Sequence, residues 1–126
     1  MSLSALLERV EGATAQDQWQ VIRDIALALV PDDPSTRVRV NALCDAGAPV
    51  DAALALIGRV LPGWWVQHLG QNLAGWGVRI ETQGLSIPLS NRLLIAPTPA
   101  LALCAALLAA MIGEEAKPSP PSTVTP

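Results

Sequence analysis

Few side chains in this sequence could do chemistry, and their spacing limits which chemistry that is. His68 is the only histidine, so a site built on paired imidazoles cannot form. A cysteine–histidine couple would need His68 beside Cys44 or Cys104. Cys104, however, falls inside the apolar run ALALCAALLAAMI, where a thiolate is disfavoured. The two cysteines stand sixty positions apart without C-x-x-C spacing, which reads as two small buried hydrophobes rather than a disulfide or metal site. The chain has no glycine-rich phosphate loop, nucleophile elbow or carboxylate pair; Gly75 and Gly77 only flank Trp76 in a turn-and-strand setting. The expectation is a non-enzyme with no catalytic residue, no cofactor and no metal ligand. His68 itself reads as a partly exposed strand residue.

The unusual side chains that remain are aromatic. The sequence has four tryptophans and no Phe or Tyr, and two of the four are adjacent in LPGWWVQHLG, residues 61–70. Neighbouring side chains on a strand point to opposite faces, so Trp64 and Trp65 cannot share one core. Which one is buried, and what the other faces, depends on the elements that carry them.

At 126 residues with 51% hydrophobic and 15% charged side chains, the chain is one small globular domain with a core of its own. Its net charge of −3 and scattered basic residues argue against binding along a phosphate backbone. The start, MSLSALLERVEG, has no basic leader and carries Glu8 and Arg9 where a signal would be apolar, so a cytoplasmic location is expected. The apolar run 98–112 spans about 22 Å as a helix, short of the roughly 30 Å of bilayer hydrocarbon, and is expected to be a buried core helix.

Leu3, Leu6, Leu7 and Val10 recur at helical spacing behind a serine cap, and Gly12 closes that helix. Thr14, with Asp17 three residues on, opens a second helix whose apolar face is Trp19, Ile22, Ile25, Ala26 and Leu29. Pro31 ends it, so the first thirty residues predict a helical hairpin. Residues 35–48 are ambiguous between irregular structure and a short helix, because Arg37-Val38-Arg39-Val40 alternates while Val40, Leu43 and Cys44 fit a helix. Pro49 and Asp51 open a helix to Leu61 with an expected stripe of Leu54, Ile57, Val60 and Leu61, and Gly58 is expected to permit close packing. After Pro62-Gly63 come strand-like runs at 64–69 and 76–82. The second alternates Trp76, Val78 and Ile80 against Gly77, Arg79 and Glu81. A third run, LSIPLS, carries Pro88 and is expected at a sheet edge, with NRLLIA extending it after a bend. Thr98 and Pro99 then start a last helix that Gly113 is expected to stop, and residues 114–126 read as a disordered Pro/Ser/Thr-rich tail.

The helix-to-strand junction DAALALIGRVLPGWW and the later APTPALALCAALLAAMI resemble the phage ABA sandwich domain family. Asp51, Ala52, Ala53, Leu54, Leu56, Leu61, Pro62, Gly63 and Trp64 carry the first match, and Thr98 to Cys104 the second. The resemblance covers about half of the chain. It implies a layered α/β fold and a phage-linked origin, and it transfers no activity, cofactor or site residue.

The expected fold is therefore α+β: an α-β-β-β-α core over 49–113, with a small antiparallel three-stranded sheet, and residues 1–48 packed on it as a hairpin and connector. That order is also the order of a double-stranded-RNA-binding domain, but no basic residue lies between Ala96 and Glu115, where such a domain needs one. One of the two adjacent tryptophans belongs to the core; the resemblance implies Trp64, which leaves Trp65, Gln67 and Leu69 as the candidate interaction patch on the other face. Two answers stand for that face. Either the N-terminal hairpin folds across it, Trp19 meeting Trp65, or it is an exposed aromatic patch for a partner protein or a second copy. The function expected is a non-catalytic phage-type accessory protein working through protein contacts or self-association. The alternatives are a nucleic-acid-binding regulator and an enzyme with an unrecognised site.

Overall fold

A computed structural model describes residues 2–73, 75–82 and 94–116. Helix α1 (Leu3–Glu11) starts where Ser2 Oγ accepts from the Ala5 N–H at 3.1 Å, and it buries Leu6 and Val10. Asp17 accepts from both the Thr14 N–H and the Thr14 hydroxyl at 3.0 Å, closing a single 3-10 turn that leads into α2 (Gln18–Leu29). An Arg9–Asp24 ion pair joins the two helices.

The ambiguous segment is a helix, α3 (Pro34–Asp45). Its start decides the matter. Pro34 has its φ set for the first turn, and Asp33 caps it by accepting from the Thr36 N–H at 3.1 Å. Val40 and Cys44, one turn apart, are buried, while Val38 and Arg39 face solvent. The apparent strand alternation was a coincidence of two arginines on a helix, Arg37 partly buried and Arg39 exposed.

Helix α4 (Pro49–Val60) buries Ala52, Ala53, Leu56 and Ile57. This corrects one member of the expected stripe; Ile57 and Leu61 are buried and Val60 packs on the core as expected. Leu54 is exposed, and the helix instead presents two alanines to its neighbours, which lets it sit between α3 and α5. A Cβ built on Gly58 would meet nothing within 4 Å, so that glycine is not a packing device. After Leu61, Gly63 adopts φ +89°, a left-handed conformation that turns the chain into β1 (Trp64–Asn72).

Strand β1 pairs antiparallel with β2 (Gly75–Thr82), and β2 pairs antiparallel with β3 (Leu94–Ala96), giving the order β1-β2-β3. The α4-β1-β2-β3-α5 succession matches the expected α+β core. The LSIPLS run lies outside the described residues; the third described strand comes from the NRLLIA segment. Helix α5 (Pro99–Ala116) opens with Thr98 Oγ1 accepting from the Leu101 N–H at 3.1 Å. It passes through Gly113 rather than stopping there, so residues 114–116, expected in the tail, are helical. A glycine inside a helix costs only about 1 kcal/mol, too little to end a helix by itself. Residues 117–126 lie outside the described set.

The position of α5 organises everything else. It lies against β2 and β3 on one side and against α1 and α4 on others, and every residue from Ala100 to Ala110 is buried. A helix that is apolar all round belongs at the centre of a fold. The layers are therefore the sheet, then α5 with α4, then α1 and α2, with α3 beside α2 and α4. The N-terminal hairpin thus does not fold across the second face of the sheet. Trp19 packs on the helical core instead of meeting Trp65. The free sides of α5 offer continuous apolar surface, whereas the far sheet face offers Gly77, Arg79 and Glu81, so the hydrophobic gain lies with α5.

Candidate functional site

Val78 and Ile80 of β2 are buried beneath α5, which defines the inner face of the sheet. Directly paired residues project to the same side, so the register assigns β1 residues to faces. Trp64, opposite Thr82, and Val66, opposite Ile80, lie inward, and both pack on the core. Trp65, opposite Glu81, points outward and is 45% exposed, the only exposed tryptophan of the four. The second tryptophan of the pair faces solvent.

The other two expected patch residues are separated by a feature no sequence pattern announced. Val66 pairs with Ile80 and His68 with Arg79, so Gln67 is one extra residue, a β-bulge. A bulge reverses which side later residues face. Leu69 accordingly pairs with Val78 on the inner side, at the rim of the core and 38% exposed. His68 takes its place beside Trp65 on the outer face. The outer side is therefore Trp65 and His68, with Arg79 and Glu81 across from them and the paired glycines Gly70 and Gly77 beyond.

The imidazole lies along its own strand. Its Nε2 would be 3.1 Å from a Cβ on Gly70, so the glycine leaves the space the ring occupies. Arg79 has its Nε buried without a hydrogen-bond partner. Among the described residues no helix packs on this side of the sheet. The geometry suits apolar and aromatic contact with a macromolecule, with one cation and one carboxylate to orient it.

The rest of the molecule offers little reactive chemistry. Cys44 and Cys104 are free and buried. Burial pushes both thiols up, Cys104 to about 12, so neither is a nucleophile at neutral pH. Among the described residues no three His, Cys, Asp or Glu side chains gather to hold a metal ion. No helix of these residues is long and apolar enough to cross a membrane. Asp33 is held well below the usual carboxylate range, first by the Thr36 hydroxyl at 2.6 Å and then by Arg59, whose Nε lies 2.6 Å away. This cluster caps α3 and ties α4 to it; its polar atoms serve the fold.

An open groove of about 670 Å³ runs between α3 and α4, with Arg39, Asp51, exposed Leu54 and Gly58 along it. Sequence reasoning did not find it. The signal available was Leu54 and Gly58, one turn apart, which mark a helix face too thinly covered to be core.

The fold and this face define a small α+β domain, helical on one side of its sheet and aromatic on the other. Comparison with protein-family models, curated proteins and solved structures returns no match for the chain.

Proposed function

We propose that the protein is a non-catalytic accessory protein that works by protein contact through the outer face of its sheet. The phage-type origin implied by its resemblance to the phage ABA sandwich family is part of this reading. One observation carries it: of four tryptophans, three pack on the core and Trp65 alone is exposed, on a strand beside His68. A large exposed ring loses little side-chain freedom on binding and supplies contact area, which makes it a typical anchor of an interface. The nucleic-acid alternative gains nothing from this face, whose Arg79 is balanced by Glu81, nor from the start of α5, which is apolar and buried.

Acrylamide quenching of wild type against Trp65→Phe tests the reading. The expected result is that the accessible part of the emission disappears in the variant, with the thermal melt unchanged. Trp65→Ala should then weaken association without unfolding the chain. Identical quenching of wild type and Trp65→Phe in the monomer would refute the proposal. A salt-sensitive gel shift with duplex RNA or DNA would move the assignment to the nucleic-acid alternative.

A further inference from the structure

We propose that β1 is the seam of a homodimer, two copies of the strand pairing antiparallel about a two-fold axis near Gly70 to join two sheets into one. The inference rests on the contact-based reading above and identifies the partner as a second copy of this chain.

The edge itself argues for that occupant. β1 is the terminal strand in the order β1-β2-β3, and no other described strand joins the sheet on its far side. From Gln67 to Asn72 every residue but Gly70 is exposed, so this half of the strand has no helical cover on either face. Natural sheets blunt open edges with charge, proline, brevity or a bulge, and of these β1 has only the bulge at Gln67, ahead of His68–Asn72. The nine residues WWVQHLGQN contain no Lys, Arg, Asp, Glu or Pro, and among the described residues β3 at the opposite edge spans Leu94–Ala96. A charged foreign strand would find no complementary side chain on β1. An identical neutral strand needs none.

The bulge sets the register. It interrupts the ladder at Gln67, leaving His68–Asn72 as the regular stretch, with Gly70 at its midpoint. Antiparallel pairing about that midpoint sets Gly70 against its own copy and Leu69 against the partner's Gln71. Half-exposed Leu69 thereby gains cover on the inner side. On the outer side the Gly70–Gly77 pair becomes a row of four glycines across both sheets, so no side chain obstructs the seam there. A two-fold contact consumes both long edges and closes the assembly.

Size-exclusion chromatography with light scattering over a wide concentration range is the primary test. Wild type should run at twice the chain mass and dissociate on dilution. The double variant Leu69→Lys/Gln71→Lys should remain folded by circular dichroism and become monomeric, because the pairing places lysine against lysine. Mixing it with Leu69→Glu/Gln71→Glu should restore a heterodimer. Amide exchange at residues 68–72 of wild type should slow as concentration rises, a readout that needs no variant. A wild type that is monomeric at every concentration, or a lysine variant that still dimerises, would overturn the seam. If the lysine variant dimerises while Trp65→Ala does not, the seam fails and the outer-face reading stands. If wild type dimerises through β1 and its Trp65 is shielded even as a monomer, the outer-face reading fails and the seam stands.

Discussion

Placing one charge at each of four consecutive positions of α5 tests whether that helix is central. Ala105, Ala106, Leu107 and Leu108 are 4%, 2%, 0% and 0% exposed, and four successive residues sweep about 300° of a helix. A helix with one wet face would accept glutamate at one of them or more. Here none should. An unpaired buried carboxylate costs about 3–5 kcal/mol, a large share of the ~5–15 kcal/mol by which a domain is stable. The side chain can escape by staying protonated, which at pH 7 costs about 3.7 kcal/mol because the ordinary glutamate pKa is about 4.3. The introduced group has a raised pKa in the folded state, so its penalty shrinks as pH falls from 7 towards the ordinary pKa and is gone below it. Urea denaturation of Ala105→Glu, Ala106→Glu, Leu107→Glu and Leu108→Glu at pH 7 should give losses of about 3–5 kcal/mol in each. Leu107→Ala should lose about 2–5 kcal/mol with no pH dependence beyond that of wild type. A loss below about 1 kcal/mol in any one glutamate variant would mean α5 has a solvent face, and the layer order described above would be wrong.

Two further outcomes follow from the polar and sulfur groups. Asp33 has a depressed pKa, so its contribution is present above the ordinary value of 3.8 and is lost as pH falls below it; stability should drop over that acid range. Asp33→Asn should flatten the drop in a series of urea melts, and an unchanged slope would show that Asp33 is not the group responsible. Neither native thiol should react quickly with a disulfide reagent at neutral pH, and Cys104 should be modified no faster than the chain unfolds globally. Rapid labelling of Cys104 in the folded protein would contradict its burial.

Where local chemistry settles an element, the sequence was enough. Ser2 and Thr98 accept from backbone N–H groups within the first turn of α1 and α5, Pro49 stands at the first position of α4, and the Thr14–Asp17 pair closes a 3-10 turn one step ahead of α2, which itself begins at Gln18. The β2 alternation likewise marked the inner face correctly: Val78 and Ile80 are buried there, while Arg79 and Glu81 take the other side and stay only partly covered. What was missed depends on distant residues or on one-residue shifts. The α3 helix turns on Asp33 and Pro34, just ahead of the segment whose alternation was being weighed. The α4 stripe was misjudged at Leu54, and Ala52 and Ala53 were passed over, yet between two helices the smaller side chains pack closer. The Gln67 bulge carries no compositional mark, and it alone removes Leu69 from the side Trp65 occupies. The seat of the N-terminal hairpin was open to reasoning of another kind, since ALALCAALLAAMI has no polar face for solvent.

That central helix has a consequence for how the chain reaches its native state. Helix α1, at the very beginning, takes most of its contacts from α5, at the end of the described chain, so Leu6 and Val10 find their neighbours only after some ninety intervening residues have been made. Until then the surfaces that α1, α2 and α4 turn towards α5 stay uncovered, a state that invites holdase capture and clumping during synthesis. A fragment cut ahead of Pro99 should be left in that condition for good.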